Sequence, residues 1–489
     1  MALFDFMRRN KRQPDAAPAH KRAFAAAQLS RLTDSWRATQ QTISEELRGD
    51  LDRLRQRARN LENDNDFALR YLEMVETNIV GETGPRLVSL AENRPGDPDQ
   101  LARTAIEQAY RAWGKRGVCE VSGQLSFVEL CWQIARGTAR DGEYLIIEHL
   151  GNVNAFGYAL QVIDVDTLAT WHNRPARDGQ NAIKLGVELN AMGVPVAWWF
   201  GSGPAGARQA ERVPAGKILH RFKTKRAGQT RGIPWMHAAM LSMHYSGEFA
   251  LSALLAAKQG ADHLGFFTTP DGQAPTLGDQ QTDGSQISTS APGTWDTLPE
   301  GTEVHTVDSK YPNEVFDPFM RSAHRRMASG LNVSYPALCN DHADLNYNSI
   351  RATQADDRDQ WRRAQRWFEE AWLEHIFDRW LTFALAKGAI KLPNGSPLPV
   401  EKRDKFAAHA WQHRGWQSND PLKDITAARM AFQEGVDSRT AYAARQGRDI
   451  EDVIGELATE QDLAAAANIE IGDPAKATPK TGTDPLLVP

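Results

Sequence analysis

The sequence is poor in cysteine, with three cysteines in 489 residues. No two of Cys119, Cys131 and Cys339 have the CxxC spacing. A small and odd number of cysteines argues against a disulfide framework and is typical of a protein that folds in a reducing compartment. Cys119 and Cys131 are interpreted as small buried hydrophobic residues rather than as ligands.

Long apolar runs are also missing. The chain has no run of about eighteen apolar residues, so the sequence predicts no transmembrane helix and disfavours a membrane pore. Residues 1–22 are basic but lack an apolar core, which argues against a secretory signal. Residues 1–41 are expected to form a flexible arm, and residues 464–489 a disordered tail.

The sequence has no excess of positive charge and no recognised catalytic motif. Its formal net charge is -5, whereas a protein that grips DNA phosphates over a broad face is usually basic. The Gly-Lys pairs lack the flanking residues of a P-loop, and no HExxH, GxSxG, GxGxxG or zinc-ligand spacing occurs. The sequence therefore predicts no cofactor, no metal and no catalytic residue.

The chain has the composition of a globular protein, 41% hydrophobic and 24% charged, and its length predicts two to four packed units. Helical patterns come first and short β-rich runs follow from residue 141, so the fold class is α+β and mostly helical. The helices predicted in the first part are 45–60, 64–80, 101–119 and 125–138. The predicted strands are 144–149, 159–164, 183–188, 194–200 and 217–222.

The stretch from Gly232 to Arg351 organises the rest of the chain. An apolar helix is predicted over residues 233–261, with apolar side chains around most of its surface. A turn-rich excursion over 265–312 follows, with strands at 265–269, 294–298 and 303–307. A second helix is predicted over 313–330, and a polar loop over 338–351. A helix that is apolar on several sides belongs inside a bundle or an assembly.

The remaining helical patterns lie toward the C-terminus. Aromatic residues recur at helical spacing over 347–387 and are interpreted as core rather than as a cofactor site. Shorter helices are predicted over 424–435, 437–446 and 449–463. In the first helix of the chain, over 45–60, opposite charges are spaced for pairing, and its arginines are interpreted as a solvated face.

One cluster of residues could carry chemistry. Cys339, Asp341, His342 and Asp344 lie within six positions and could bind a metal or supply a base. The alternative is a polar loop without catalysis, since no second element completes a site. A nucleic-acid-processing enzyme that uses residues 339–344 therefore stays open as the alternative function.

A second cluster is basic and contains no acidic residue. It could contact DNA phosphates or a neighbouring subunit, or it could simply be solvated. Its members are Lys217, Arg221, Lys223, Lys225, Arg226 and Arg231.

Several short segments, in this order and spacing, resemble the portal proteins of tailed bacteriophages, of the lambda-type family. The resemblance extends from about residue 66 to residue 423, and no single segment is decisive. The segments begin Asp66-Phe-Ala-Leu-Arg-Tyr71, Asn78-Ile-Val-Gly81, Asp141-Gly-Glu143, Leu160-Gln-Val-Ile-Asp164, Gly186-Val-Glu188 and Val213-Pro-Ala-Gly-Lys-Ile-Leu-His220. They continue with Gly228-Gln-Thr-Arg-Gly-Ile-Pro234, Glu300-Gly-Thr-Glu303, Asp344-Leu-Asn-Tyr-Asn-Ser-Ile-Arg351 and Asp420-Pro-Leu-Lys423.

The resemblance implies a portal fold with wing, stem, clip and crown, assembled as a ring around a central channel. It implies a wing over 42–232 with a return segment over 389–419. The stem helices would be 233–262 and 313–333, the clip 263–312, the tunnel loop 334–349, the long helix after it 350–388 and the crown 420–463.

The resemblance also implies partners and a location. These are further copies of the chain, usually twelve, the major capsid protein, the terminase large subunit, a head-tail connector and double-stranded DNA. The protein would sit at one capsid vertex of a virion assembled in the bacterial cytoplasm, with no membrane partner. The tunnel loop would line the channel and touch DNA weakly, without sequence preference. Its candidate residues are Asp341, His342, Asp344, Asn346, Tyr347, Asn348 and Arg351.

Overall fold

The computed structural model describes residues 40–202, 209–262, 315–343, 346–416 and 420–466, together with the backbone of four short strands between residues 266 and 305. The fold is α+β, as the sequence predicts. The expected flexible arm at 1–41 lies almost entirely outside the described residues, and so does most of the tail at 464–489.

Two helices open the described chain. Helix α1 (Ile43–Asp64) begins at a capping box, in which Thr42 and Glu45 satisfy each other's backbone amides. Helix α2 (Asp66–Val75) begins at Asn65 and continues as a π turn over Glu76–Val80. It ends at Gly81, whose φ of 79° suits glycine. The predicted helices at 45–60 and 64–80 are confirmed.

A helical layer and two antiparallel sheets follow. The next elements are β1 (Arg86–Ser89), β2 (Glu92–Arg94), β3 (Asp97–Pro98), α3 (Gln100–Trp113), α4 (Phe127–Asp141), β4 (Glu143–Leu150) and β5 (Tyr158–Ile163). They are followed by β6 (Ala182–Lys184), β7 (Val187–Leu189), β8 (Pro195–Ser202), β9 (Gln209–Pro214) and β10 (Ile218–Phe222). One sheet has the order β10-β4-β5, and the other is the meander β6-β7-β8-β9.

The predicted single strand over 183–188 is wrong. Leu185 and Gly186 both have positive φ, 53° and 80°, and they form a two-residue turn between β6 and β7. Two central residues with positive φ make a turn whose twist matches that of a hairpin. The other four predicted strands are confirmed within about two residues. The sequence did not predict β9, which forms one edge of the meander.

The central excursion has the predicted order of elements. A 3-10 turn over Trp235–Ala238 leads into helix α5 (Met240–Asp262), so the helix begins later than residue 233. Strands β11 (Phe266–Thr268) and β14 (Glu303–His305) pair, as do β12 (Asp279–Gln280) and β13 (Gln286–Ile287). The predicted strand 294–298 lies outside the described residues. Helix α6 (Phe316–Leu331) returns.

The segment after α6 is helical for most of its length. The predicted loop over 338–351 is wrong at both ends, because residues 338–339 belong to one helix and 347–351 to the next. The segment comprises α7 (Tyr335–Cys339), α8 (Tyr347–Phe368), a π turn over Glu369–Leu373, α9 (Glu374–Ala386), α10 (Arg403–Phe406) and β15 (His409–Gln412). Strand β15 pairs with β1, joining the return segment to the first part of the chain. The last elements are α11 (Pro421–Gln433), α12 (Arg439–Arg445) and α13 (Ile450–Ala466). The three predicted C-terminal helices are therefore confirmed, and the last one runs to residue 466.

Two hydrophobic clusters hold the described body together. The larger one packs α2, α3, α4, α8 and α9 against one face of β4. The smaller one lies between the two sheets and contains Leu145, Val187, Trp198 and Ile218. The predicted aromatic core is confirmed, since Phe368, Trp372, Phe377 and Trp380 are buried. Cys119 and Cys131 are buried as predicted, and burial raises the pKa of both thiols.

No helix within the described ranges is both long and apolar enough to cross a membrane.

Candidate functional site: two exposed helices, a polar loop and a buried ion cluster

Helix α5 presents apolar side chains to solvent along its length. Six of them are 36% to 67% exposed, namely Leu241, Tyr245, Phe249, Leu251, Leu254 and Leu255. Fully burying one such side chain contributes about 1.5–3 kcal/mol. Contiguous exposed apolar surface of this kind marks an interaction site.

The N-terminal end of α5, by contrast, is fixed in the core. Met236, Ala239, Met240 and Met243 are buried there. Helix α6 packs beside this end, and a Cβ placed on Gly330 would lie 3.3 Å from the Cβ of Ala239. We call the buried N-terminal end of α5 and the turn before it, Met236 to Met243, the root. We call the exposed part that follows, Tyr245 to Leu255, the shaft.

Aromatic contacts hold the shaft of α5 against α6. The ring of Phe249 lies 6.0 Å from that of Phe316, stacked, and 5.3 Å from that of Phe319, edge to face. A groove of about 630 Å³ runs between the two helices. Tyr245 and Met320 are among its lining residues. The shaft thus offers both an apolar surface and a groove.

A tight turn connects α6 to the polar loop. Asn332 has φ 57° and ends α6, and its side-chain amide donates to Gln360 Oε1 at 2.8 Å. The amide and hydroxyl of Ser334 both donate to the carboxylate of Asp357 in α8. Helix α8 therefore fixes the start of the loop. Sequence spacing does not reveal this contact, because Ser334 and Asp357 are 23 positions apart.

Asp341 is held inside the loop rather than presented freely. Its carboxylate accepts from the Tyr335 hydroxyl at 2.6 Å and from the Ala343 amide at 3.1 Å. The Tyr335 hydrogen bond, then the Ala343 amide, keeps the pKa of Asp341 below its usual value. Arg321 of α6 lies 3.9 Å from the same carboxylate. The loop is therefore tied to α6 by charge.

Among the described residues, Cys339 and His342 do not complete a metal or catalytic site with Asp341. Burial, with the nearby charge of Asp341, raises the pKa of Cys339 to about 11, which disfavours a reactive thiolate. His342 is exposed, and Asp344 lies outside the described residues. Over the described part of the chain, no group of three His, Cys, Asp or Glu side chains could hold a metal.

The remaining predicted loop residues lie at or within the start of α8 and make different contacts. Asn346 caps α8 by accepting from the Ser349 amide at 2.9 Å. Asn348 is exposed in the first turn of α8, in which Tyr347 is the first residue. Arg351 donates to Asp424 of α11 at 3.0 Å, so it joins α8 to the C-terminal helices.

The predicted basic patch does not form one surface. Arg231 is 0% exposed and cannot belong to a surface patch. Arg221 is half-buried and donates to the Ala371 carbonyl at 3.1 Å. Arg226 pairs with Glu46 of α1 at 2.7 Å. The prediction of a basic patch was wrong because it considered only the local sequence, which lacks acidic residues. The acidic partners of Arg226 and Arg231 come from distant elements.

Lys217, Lys223 and Lys225 are the remaining members of that patch. Lys217 and Lys225 are exposed. Lys223 is half-buried, and its ammonium lies 3.5 Å from the centre of the Trp235 ring.

Arg231 belongs to a buried ion cluster around Glu143, which sequence reasoning missed. The Glu143 carboxylate accepts from Arg231 Nη2 at 2.6 Å, from the Gly232 amide at 2.8 Å and from His220 Nε2 at 3.0 Å. Arg55 Nη2 lies 3.6 Å away. Burial alone would raise the pKa of Glu143, but Arg231 and His220 hold it well below its usual value.

The tautomer of His220 follows from its neighbours. Trp198 Nε1 can only donate, and it lies 3.1 Å from His220 Nδ1. Nδ1 must therefore be the acceptor, and Nε2 carries the proton that is donated to Glu143. Burial, with the charges of Arg231 and Arg221, lowers the pKa of His220 despite the hydrogen bond and charge of Glu143. The imidazole is consequently neutral at neutral pH.

Two glycines allow this cluster to form. A Cβ on Gly232 would lie 2.1 Å from the carbonyl oxygen of Gly142, and Gly142 itself has φ 89°. The two backbones cross closely, so that Glu143 meets Arg231 directly. The segments Asp141-Gly-Glu143 and Gly228-Gln-Thr-Arg-Gly-Ile-Pro234, noted separately in the sequence, are thus two halves of one feature.

Two arginines of α1 correct a second prediction, whereas Arg48, Arg53 and Arg57 are exposed as predicted. Arg55 is fully buried and donates to Asp166 at 2.7 Å. Arg59 bonds Asp141 at 2.8 Å and Asp166 at 2.7 Å. These two arginines face the sheet domain rather than solvent, because acidic residues more than eighty positions later lie against α1.

A family model described as phage portal protein, lambda family, matches residues 29–365. The chain is 31% identical over 479 residues to a probable portal protein of Halomonas phage phiHAP-1, covering 94% of this chain and 91% of that protein. It is 20% identical over 476 residues to portal protein B of Escherichia phage lambda, covering 89% and 88% respectively.

A solved structure also aligns with this chain, the neck of an empty GTA particle computed with C6 symmetry. Its TM-score is 0.42 at 14% identity, covering 82% of this chain and 93% of that one. A likeness at that TM-score supports no conclusion about this chain.

Proposed function

The chain belongs to the lambda family of phage portal proteins, and from that membership we propose that identical copies of it close into a ring around a channel for double-stranded DNA. Its function is that of a portal protein, and the family is one of structural conduits rather than of enzymes. The proposed ring has twelve copies and occupies one vertex of the capsid. We assign no catalytic step to it.

The exposed shaft of α5 is the observation that carries the proposal. Its exposed leucines find no cover within the described chain, whereas leucines of the long helices α1, α4 and α9 are buried. Head-to-tail contact between identical copies buries one face of each subunit against a different face of the next, and a suitable rotation closes the ring. Neighbouring copies would then bury the shaft.

The proposed parts of the subunit follow the order of elements. Residues 42–232 and 389–419 form the wing, α5 and α6 form the stem, and residues 263–312 form the clip. Residues 334–349 form the tunnel loop, 350–388 the long helix and 420–463 the crown. In this arrangement the root of the stem is anchored in the wing, and the burial of the residues around Met240 supports it.

The tunnel loop is proposed to face the channel and to touch DNA weakly. A channel through which DNA slides must avoid many basic contacts, because each one adds favourable binding to phosphate. Asp341 and Asp344 supply negative charge there, and Arg351 is paired with Asp424. The proposed partners are the terminase large subunit, the head-tail connector and the major capsid protein, met during virion assembly in the host cytoplasm.

Assembly is tested with the paired substitution Leu251→Glu and Leu254→Glu. Because both side chains are more than half exposed in the single chain, the fold of each subunit should survive. Rings seen in electron micrographs of the parent protein should disappear, and sedimentation should report single chains. The matched control is Met192→Glu, on an apolar side chain that is also exposed but far from α5 in the chain.

The assembly proposal fails if the parent protein remains a single chain at every concentration. It also fails if the paired variant forms rings as well as the parent does.

The loop is tested by charge reversal at both aspartates, Asp341→Lys and Asp344→Lys. Packaging of DNA into capsids should slow while rings still form. The variant Asp341→Asn is the control, because the amide oxygen can still accept from Tyr335 while the charge is lost. Unchanged packaging in the reversed variant would remove the loop from the mechanism.

A further inference from the structure

A cleft beside the root of α5 combines basic and aromatic side chains. We call it the aromatic-basic cleft and define it by Lys223, Lys225, Trp235, Arg363 and Trp367. Its volume is about 460 Å³, within the usual range for small-molecule sites. No aspartate or glutamate is among the residues that line it.

Its cations come from separate elements. Lys223 and Lys225 follow strand β10, and Arg363 lies on α8. Lys225 Nζ lies 3.1 Å from Nε2 of His237, a neutral acceptor rather than a carboxylate. Over the described residues, neither Lys223 nor Arg363 has an ion pair. All three side chains line the same cleft. Burial, with the charges of Arg363 and Lys225, lowers the pKa of Lys223 to about 8.

Two tryptophans frame the cations. The rings of Trp235 and Trp367 lie 5.7 Å apart, edge to face. The Lys223 ammonium sits 3.5 Å from the first ring centre and 5.2 Å from the second. Trp235 Nε1 is out of contact with solvent and meets no acceptor among the described residues. The cleft therefore combines positive charge with aromatic rings.

We propose that the aromatic-basic cleft binds a phosphate group, carried by a nucleotide or by a nucleic-acid strand. Three clustered cations favour a ligand with several charged oxygens over a single carboxylate. Aromatic rings beside a basic surface are the combination that holds a base next to its phosphate. This site is separate from the proposed tunnel loop and does not depend on ring formation.

The test is calorimetric titration of the purified protein with three probes. These are adenosine triphosphate without metal, sodium phosphate, and a short single-stranded oligodeoxynucleotide. Binding of the triphosphate, with phosphate as a competitor, identifies a free nucleotide as the source. Binding of the oligonucleotide alone identifies a strand. Either result supports the cleft as a phosphate site, provided the variants below weaken it.

Arg363→Gln and Lys225→Gln are the variants, and Lys217→Gln is the matched control. Arg363 and Lys225 are exposed, so their loss should leave the melting temperature unchanged. Removing one charge-assisted bond should weaken binding of the responding probe about tenfold. Lys217, an exposed lysine of the same basic segment but outside the cleft, should change it less than twofold.

Three results would overturn the proposal. One is that no probe binds the parent protein. Another is equal weakening in Arg363→Gln and Lys217→Gln, which would locate binding elsewhere on a basic surface. The last is that a polyglutamate peptide displaces the probe as well as phosphate does, which would assign the cleft to acidic peptides.

Discussion

Helices α5 and α9 have similar apolar content but very different surroundings. In α9 the buried side chains Ile376, Phe377, Trp380 and Leu381 are no more than 1% exposed, whereas leucines along α5 are 50% or more exposed. Both patterns predict a helix buried on several sides. The difference shows that sequence reports the need for burial but not where the cover comes from. For α9 the cover is the same chain, and for α5 we propose that it is another copy.

The largest expected change in the free energy of unfolding distinguishes α9 from α5 directly. Trp380→Ala should lower the free energy of unfolding by about 3–5 kcal/mol, because it leaves a cavity in a closed core. Leu254→Ala, in α5, should cost the single chain no more than about 0.5 kcal/mol, because the leucine is already exposed. Denaturant unfolding of dissociated chains measures both. A similar loss of unfolding free energy in the two variants would contradict the difference in burial between α9 and α5.

An effect of up to the same size is expected at the root of α5, where buried charges rather than apolar packing stabilise the structure. Glu143→Gln should cost up to about 3–5 kcal/mol, because Arg231 remains buried without its carboxylate. Asp359→Asn, in an exposed pair with Arg362, is the matched control and should cost less than about 1 kcal/mol. If Glu143→Gln unfolds at the same denaturant concentration as the control, the cluster does not stabilise the root.

The smallest expected effect is the loss of folding stability as the pH falls. The pKa of His220 is lowered from 6.5 in the folded chain, so its contribution is present above pH 6.5 and is lost as the pH falls. Glu143 has a pKa lowered from 4.5, so its contribution is lost only below pH 4.5. Between these values the parent chain should lose stability because unfolding lets His220 bind a proton, at about 1.4 kcal/mol per unit of pKa difference.

The variant His220→Gln isolates this contribution. It can still accept from Trp198 and donate to Glu143, but it cannot titrate. Thermal unfolding across this pH interval should therefore show a shallower decline than in the parent, and the decline below pH 4.5 should persist. His342→Gln, on the exposed loop, serves as the control. An unchanged slope in His220→Gln would mean that the buried imidazole does not set the acid sensitivity.

The sequence predicted local elements well, because local pattern determines them. Most helices were predicted within about four residues of their ends, since caps such as Thr42 and Ser438 and breakers such as Gly81 lie beside the residues they affect. Two ends were wrong by more, since α3 ends at Trp113 rather than at residue 119 and α5 begins at Met240 rather than at residue 233. The turn at Leu185-Gly186 was missed, because a leucine with positive φ gives no warning in an apolar run.

The candidate site was predicted less well, because its contacts join distant positions. Arg231 meets Glu143 across 88 positions, and Ser334 meets Asp357 across 23. A cluster of charges of one sign was interpreted as a surface because its partners were invisible in the local sequence. Asp341 was predicted correctly as part of a polar loop. Its bond to Tyr335 depends on the short helix α7, whose five residues give almost no periodic signal.

The crossing of Gly142 and Gly232 has a mechanical consequence. Only two residues separate it from the turn that begins at Trp235 and leads into α5. The joint has no room for a methyl group and is clamped by four charged or polar partners of Glu143. Helix α5 is therefore not free to rotate about its N-terminal end relative to the sheet. Torque applied to the far end of α5 would pass into the β10-β4-β5 sheet instead of being absorbed at the joint.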